Sequence, residues 1–433
     1  MRYFLALFFY RVLFLLLTPV LLAVLLVRSI NHTKYRHRLL ERLGLYSTLA
    51  IKTLKPNGIV VHAASVGEVI ALKAFITQLI VKYPTLPITV TTFTPTGSEQ
   101  VVKLFGNTVQ HCYLPFDNII STHLFLKRLR PKAIVFMETE LWPNLIARCQ
   151  ADNIKLLLVN GRLSDKSMRS YQKISWLITP AIQRFGQILT QSQVNQEHYL
   201  AMGATSERCR LSGNLKFDIS ISNDVVKKQQ ELTQLLIDER DIWLVASTHP
   251  GDEALALEAF EYVKQKNSNV LLVIVPRHPE RFVQVAKLAQ DAGNNVITRS
   301  SKQPVTLNTD VWVIDTLGEL LSVCALSDVV TMGGSFSNIG GHNPLEPALF
   351  NKPVIAGPNM SNFTEILSQL ISAQGIVQIA ENNDMAQALS NEVLRLLLDN
   401  VEAKFLGENA YRVVQQNQGA TQCSLQALTK LIN

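Results

Sequence analysis

The sequence predicts an α/β protein built from two doubly wound, Rossmann-like domains facing a cleft, preceded by a membrane-anchor helix. Three observations predict it: a long uncharged apolar run near the N-terminus, a repeated alternation of short β-rich runs with longer helical patterns, and a lapse in that alternation near the middle. The chain has 433 residues, 47% hydrophobic and 17% charged. That length suits two or three domains, and the composition excludes a disordered polymer.

The apolar run comes first. Tyr3 to Val27 is apolar apart from Arg11, and Val12–Val27 carries no charge. A spanning helix needs about 20 predominantly apolar residues. The run reaches that length when Tyr3–Tyr10 is included and Arg11 snorkels; an anchor in one leaflet is the alternative reading of the same run. No small-x-small cleavage site precedes the basic residues that follow, which argues against a removable signal peptide. Those basic residues are Arg28, Lys34, Arg36, Arg38 and Arg42, against one acid, Glu41; they hold over half of the formal charge of +7. Such a cluster beside an apolar helix suits anionic headgroups and predicts a body on the cytoplasmic side. It does not suit nucleic acid, because no aromatic–basic groove pattern accompanies it. Five cysteines without a C-x-x-C read as reduced thiols, not as a disulfide framework or a zinc site.

The alternation follows. Predicted strands are Ile59–Ala63, Ile88–Thr92, Ala133–Phe136, Lys155–Val159 and Gln187–Thr190, then Ile242–Ala246, Val270–Val275, Val311–Ile314, Asp328–Met332 and Pro353–Ala356. Strands alternating with helices make parallel sheets with helices on both faces. The expected domains are an anchor over 1–28, one α/β domain over 29–219, a polar helical linker over 220–240, and a second α/β domain over 241–433.

In open α/β sheets ligands bind beyond the carboxyl ends of strands, and the distinctive residues cluster there. Ser65 and Glu68 have the S-x-x-E spacing of a capping box, so Glu68 either closes a helix N-terminus or serves as a general base beside it. Glu138 and Glu140 follow the third strand, next to Trp142-Pro143. Arg162 follows the fourth and offers a guanidinium to an anion or to a surface ion pair. Lys216 lies at the domain junction. Pro276-Arg277 directly follows a buried strand, where an arginine suits a phosphate. Leu317-Gly318-Glu319 opens a helix whose N–H groups could cradle one. Asn343-Pro344-Leu345-Glu346 follows a glycine-dense stretch and reads as N-cap, first turn and capping-box acid, or as a ligand for ribose hydroxyls. No set of residues has metal-site spacing, and neither G-x-S-x-G nor G-x-x-x-x-G-K-[ST] occurs.

In chain order these motifs resemble one family, the 3-deoxy-D-manno-octulosonic acid (Kdo) transferases. The resemblance rests on HAASVGE at 62–68, ETELWPN at 138–144, NGRLS at 160–164, GNLKFD at 213–218, PRHPERF at 276–282, DTLGEL at 315–320 and GGHNPLEP at 340–347. It implies a GT-B fold with an acceptor-binding N-terminal domain and a CMP-sugar-binding C-terminal domain. The implied reaction is inverting transfer of Kdo from CMP-Kdo to the 6′-hydroxyl of a tetraacylated lipid A precursor at the inner membrane, with no metal or other cofactor. Carried over by motif, Glu68 is the base, Glu138 and Lys216 support the transition state, and Pro276, Arg277, Leu317, Gly318, Glu319, Asn343, Pro344, Leu345 and Glu346 hold CMP. Arg162 is assigned to an acceptor phosphate. The alternatives are another sugar-nucleotide enzyme on this architecture, such as a 2-epimerase, or a non-catalytic membrane scaffold.

Overall fold

The structure is a computed structural model and describes residues 2–48 and 53–433. It divides into two compact units, one of Met1–Asp218 with Asn417–Asn433, the other of Ile219–Gln416.

The first unit begins with a helix over Arg2–Asn31, longer than the expected 1–28. Its sheet contains β1 (Ile59–His62), β2 (Ile88–Thr92), β3 (Gln110–Tyr113), β4 (Ala133–Met137), β5 (Lys155–Gly161), β6 (Gln187–Thr190) and β7 (Cys209–Leu211). These run parallel in the order β3-β2-β1-β4-β5-β6-β7. Side chains alternate across the sheet. Val61, Val135 and Leu157 pack on one face, and Val60, Ile134, Phe136 and Leu158 on the other. Helices cover both faces, which is why these strands read as continuous apolar runs.

The second unit repeats the plan. Its strands are β8 (Asp241–Thr248), β9 (Val270–Pro276), β10 (Val296–Thr298), β11 (Val311–Val313), β12 (Val329–Met332), β13 (Val354–Ala356) and β14 (Val377–Gln378). They are parallel in the order β10-β11-β9-β8-β12-β13-β14. Trp243, Leu272, Ile274, Val313 and Ile355 form its core with Phe260, Val263 and Leu389. The buried Trp243 indole donates to Thr331 Oγ1 at 2.9 Å, as a buried N–H requires.

Two domain boundaries differ from expectation. Residues 220–240 are not a bare linker: helix Asn223–Thr233 belongs to the second unit, with Leu232 fully buried and Ser322 donating to the Val225 carbonyl at 2.8 Å. Residues 417–433 do not belong to the second domain. Helix Ala420–Ile432 buries Ala420, Leu425 and Leu428 against Val61, Val135 and Leu157 of the first sheet. The Asp218 carboxylate accepts the Gly419 N–H at 2.7 Å and the Thr421 N–H, capping this helix. Tyr83 adds a hydrogen bond to Thr429 Oγ1 at 3.0 Å. Each buried leucine contributes roughly 1.5–3 kcal/mol, so an apolar face of this size holds the tail firmly.

The basic tail is also only partly a surface feature. Arg42 is 3% exposed, with its guanidinium 4.0 Å from the Tyr113 ring centre and 4.7 Å from that of Phe93. Arg38 pairs with Glu41 at 2.7 and 2.8 Å. Arg28, Lys34 and Arg36 remain exposed. The expectation that all five cations face headgroups is therefore corrected: Arg42 is folded inward.

Candidate active site

In the first sheet β1 and β4 are neighbours, and chain progress reverses between them. This is the switch point where an open α/β sheet leaves a crevice. Glu68 follows β1, and Glu138 and Glu140 follow β4.

The capping box at Glu68 is closed. Ser65 is the N-cap of helix Val66–Ala71, its hydroxyl accepting the Glu68 N–H at 3.4 Å. In return the Glu68 carboxylate accepts the Ala64 N–H and the Ser65 hydroxyl, both at 2.8 Å. The group is half-buried. Burial raises its pKa, the Ala64 and Ser65 hydrogen bonds pull it back, and Glu138 and Glu140 add to the rise; the net direction is upward. The carboxylate is thus fixed in place and made more basic than an ordinary glutamate. A Cβ at Gly67 would meet nothing nearer than Ser65 Oγ at 4.0 Å, so that side of the turn is open.

Glu138 stands in the left-handed region, φ 58°, uncommon for a residue with a side chain and concentrated at functional sites. Neighbouring backbone holds it there: its N–H reaches the Val159 carbonyl at 3.0 Å, and its carbonyl accepts the Tyr199 hydroxyl at 3.3 Å. Thr139 donates to the Arg162 carbonyl, so the loops after β4 and β5 are tied together and Arg162, exposed, projects beside them. Lys216 sits half-buried in a 3-10 turn over Leu215–Phe217, its N–H accepted by Asn214.

His62 opens the HAASVGE motif and Glu140 lies within ETELWPN, and neither motif's spacing assigns them a role. His62 is fully buried at the end of β1, with Nδ1 3.2 Å from the Thr91 carbonyl and 3.0 Å from its hydroxyl. Its Nε2 lies 3.5 Å from Glu140, which also accepts the Trp142 indole N–H at 2.7 Å. Burial pushes Glu140 upward, but the His62 and Trp142 contacts outweigh it and hold the carboxyl below its usual range. The signal for this pairing is a histidine inside the buried run Ile59–His62.

The second sheet has its own switch point between β8 and β12. Arg277 is exposed just past β9, its N–H bonded to the Thr248 carbonyl at 3.0 Å. His342 lies beside it, stacked on His249 with 5.0 Å between ring centres and 2.8 Å between Nε2 atoms. Burial, then Arg277, His249 and His278, push His342 down to about 3, so it is neutral. Glu346 is half-buried on the next turn; burial pushes it up to about 7, against the pull of Arg277. The Leu345 N–H is accepted by Asn343 Oδ1 at 3.3 Å, but the short helix Leu345–Ala348 has Pro344 as its N-cap, one residue later than the sequence reading, and no side-chain cap. No hydrogen bond among the described residues reaches the Glu346 carboxylate, unlike that of Glu68. Pro276, Pro344 and Leu345 are buried and shape the loops around these groups.

Other motif residues are committed to the fold. Glu319 is 6% exposed, pairs with Arg299 at 3.1 Å and accepts the Thr316 hydroxyl, so its side chain braces the loop. Leu317 is 57% exposed, and Gly318 has φ 79° with its carbonyl accepting Lys228 Nζ at 3.3 Å. Arg281 pairs with the fully buried Glu253 at 2.6 Å, which also accepts the Thr248 hydroxyl at 2.7 Å. Gly341, in the glycine-dense stretch before Asn343, has φ 76°, and a Cβ there would clash with Met360 Sδ. Its glycine is required by the protein's own packing.

The comparisons with known proteins bear on this geometry. The family model described as 3-Deoxy-D-manno-octulosonic-acid transferase (kdotransferase) matches residues 37–219. The chain is 40% identical over 421 residues to the 3-deoxy-D-manno-octulosonic acid transferase of Haemophilus influenzae, covering 97% of each chain. It is 32% identical over 374 residues to the enzyme of that name in Rickettsia felis, covering 86% of this chain and 79% of the other. Among solved structures, the UDP-GlcNAc 2-epimerase of Neisseria meningitidis bound to UDP-GlcNAc matches with a TM-score of 0.56 at 15% identity, over 86% of this chain and all of that one. That likeness is one of fold alone.

Two doubly wound units with carboxylates at a switch point, together with these relatives, define a glycosyltransferase of the GT-B class. The chain belongs to the 3-deoxy-D-manno-octulosonic acid (Kdo) transferase family. The scaffold and epimerase alternatives fall with this assignment.

Proposed function

We propose that this chain transfers Kdo from CMP-Kdo to the 6′-hydroxyl of a tetraacylated lipid A precursor, at the cytoplasmic face of the inner membrane, with inversion at the anomeric carbon. The observation that carries the mechanism is the Glu68 carboxylate, fixed by Ala64 and Ser65 at the first switch point with its basicity raised. Glu68 takes the proton of the acceptor hydroxyl as its oxygen bonds to the anomeric carbon. The bond from that carbon to the phosphate oxygen breaks, and CMP departs with the electron pair. Positive charge developing on the sugar is stabilised by the Glu138 carboxylate, as in glycoside cleavage. The leaving group is already an anion, so Arg277 and loop dipoles serve it better than a general acid would. Glu346, the backbone of the 317–319 loop and the Asn343–Leu345 turn hold the nucleotide, Lys216 supports the transition state, and Arg162 receives an acceptor phosphate. Helix Arg2–Asn31 anchors the enzyme where its acceptor resides: its segment Tyr3–Asn31 is, by length and composition, long and apolar enough to cross a bilayer.

The test is transfer by purified protein supplied with CMP-Kdo and the lipid A precursor. Glu68→Gln should lower kcat by about 10²–10⁴, the usual contribution of a general base, and leave CMP affinity within twofold. Normal transfer by that variant would leave Glu68 as a helix cap only.

A further inference from the structure

Helix Arg2–Asn31 passes the length test for a membrane span, but the structure docks one of its faces onto the first unit. Tyr3, Ala6, Leu7, Tyr10, Arg11 and Thr18 fall at i, i+3, i+4, i+7, i+8 and i+15, a single helical stripe. Ala6 and Leu7 are buried against Leu177 of helix Ser175–Ile182. The stripe's polar members each meet a partner on the body. Tyr10 donates to Asp117 at 2.9 Å, Arg11 Nε to Asn144 Oδ1 at 2.9 Å, and Thr18 Oγ1 accepts Asn118 Nδ2 at 3.0 Å. Near the first residue the Arg184 guanidinium lies 4.3 Å from the Tyr3 ring centre. Beyond the last, Lys34 reaches Glu99 at 2.6 Å and Arg38 donates to the His111 carbonyl at 2.9 Å.

These contacts leave too little free helix to span. Between Thr18 and the end of the helix at Asn31, at 1.5 Å per residue, the undocked part is about 20 Å long. A hydrocarbon core is about 30 Å thick. Both ends of the segment return to the same body. The opposite face is uniformly apolar and exposed: Phe4, Phe8, Phe9, Leu13, Leu16 and Val20 are each more than half exposed. The surface continues onto the body at Ile119 and Ile120, adjoining Asn118, and at Ile174 and Trp176, adjoining Leu177. Exposed cations flank these segments in the chain: Lys166, Arg169 and Lys173 just before Ile174 and Trp176, and Arg28 and Arg36 about the end of the helix. Apolar side chains, an interfacial tryptophan and a cationic rim match one leaflet of an anionic bilayer.

We propose that the N-terminal helix lies in a single leaflet, docked on the first unit, so that its outer face, with Ile119, Ile120, Ile174 and Trp176, forms one membrane-seated surface and the N-terminus stays on the body's side. This rests on the membrane anchoring proposed above and fixes its geometry. The full-length chain, bearing one epitope at each terminus, is expressed and collected in inverted inner-membrane vesicles. Protease added outside should remove both epitopes without detergent. An N-terminal epitope protected until detergent is added means a spanning helix and overturns the proposal. Protein recovered in the soluble fraction overturns the anchoring reading itself, a distinct result. The second measurement uses Ala6→Cys with Leu177→Cys in the same vesicles. Oxidation should cross-link them within one chain, and no cross-link beyond that of the unsubstituted protein overturns docking. Phe9→Glu with Leu16→Glu should lower the vesicle-bound fraction at least about tenfold. If instead Phe9→Cys cross-links two copies, the outer face pairs chains and the proposal fails.

Discussion

At the scale of single residues, the Ser65 hydroxyl both accepts the Glu68 N–H and donates to the Glu68 carboxylate. Removing it has two separable effects. The hydrogen bond holds the carboxylate's pKa down against burial, so Ser65→Ala should let it rise. If Glu68 is the base, it must be ionised to act, and the acid limb of kcat/KM should move to higher pH. Loss of the N-cap should also cost about 1 kcal/mol of stability, read as a lowered Tm. A pH profile that does not move would detach Glu68 from the base role even where stability falls. The Ser65–Glu68 pairing was legible in the sequence because a capping box is a matter of spacing along one chain. Glu138's left-handed backbone and the His62–Glu140 contact were not legible. The first depends on bonds to Val159 and Tyr199, and the second joins the ends of two strands separated by more than 70 residues. Glu319 is the opposite lesson. Its place in a nucleotide-like loop suggested a ligand, whereas Arg299, 20 residues upstream, already takes its carboxylate.

At the scale of elements, all ten strands read from the sequence are present within a residue or so at each end, except that β5 and β8 run further. The four strands that were missed are β3, β7, β10 and β14, which are the four sheet edges. The reason is physical. An edge strand pairs on one side only, tolerates polar residues and can be short. β3 opens with Gln110 and His111, β7 carries Arg210, and β14 is two residues long, so none presents the apolar run by which buried parallel strands are recognised. The tail helix was readable as a helix, but its destination was not, because Leu425 and Leu428 do not specify which sheet they will cover. The Asp218 cap marks that destination. Asp218→Ala leaves the Gly419 and Thr421 N–H groups unpaired and should cost about 0.5–2 kcal/mol, seen as a lower urea midpoint for the first unit. An unchanged midpoint would mean that the apolar face alone seats the helix.

At the scale of the whole molecule, the second unit is one uninterrupted segment and the first is made of two. The segment 219–416 should therefore fold when expressed alone, giving a cooperative urea transition. The segment 2–218 should not, because without the tail it exposes the apolar face around Val61, Val135 and Leu157. Adding a 417–433 peptide should restore its transition, and independent cooperative folding of 2–218 would refute the dependence.

The split also orders events during synthesis. When Asp218 leaves the ribosome, the first sheet has all its strands but lacks the helix that covers part of one face, and that helix is translated only after the whole of the second unit. At roughly 5–20 residues per second, the wait lasts on the order of 10–40 seconds, during which the second unit can complete its own fold. The first unit is therefore the later of the two to mature, and a chain cut short just before Ala420 has a whole second unit and an open first unit.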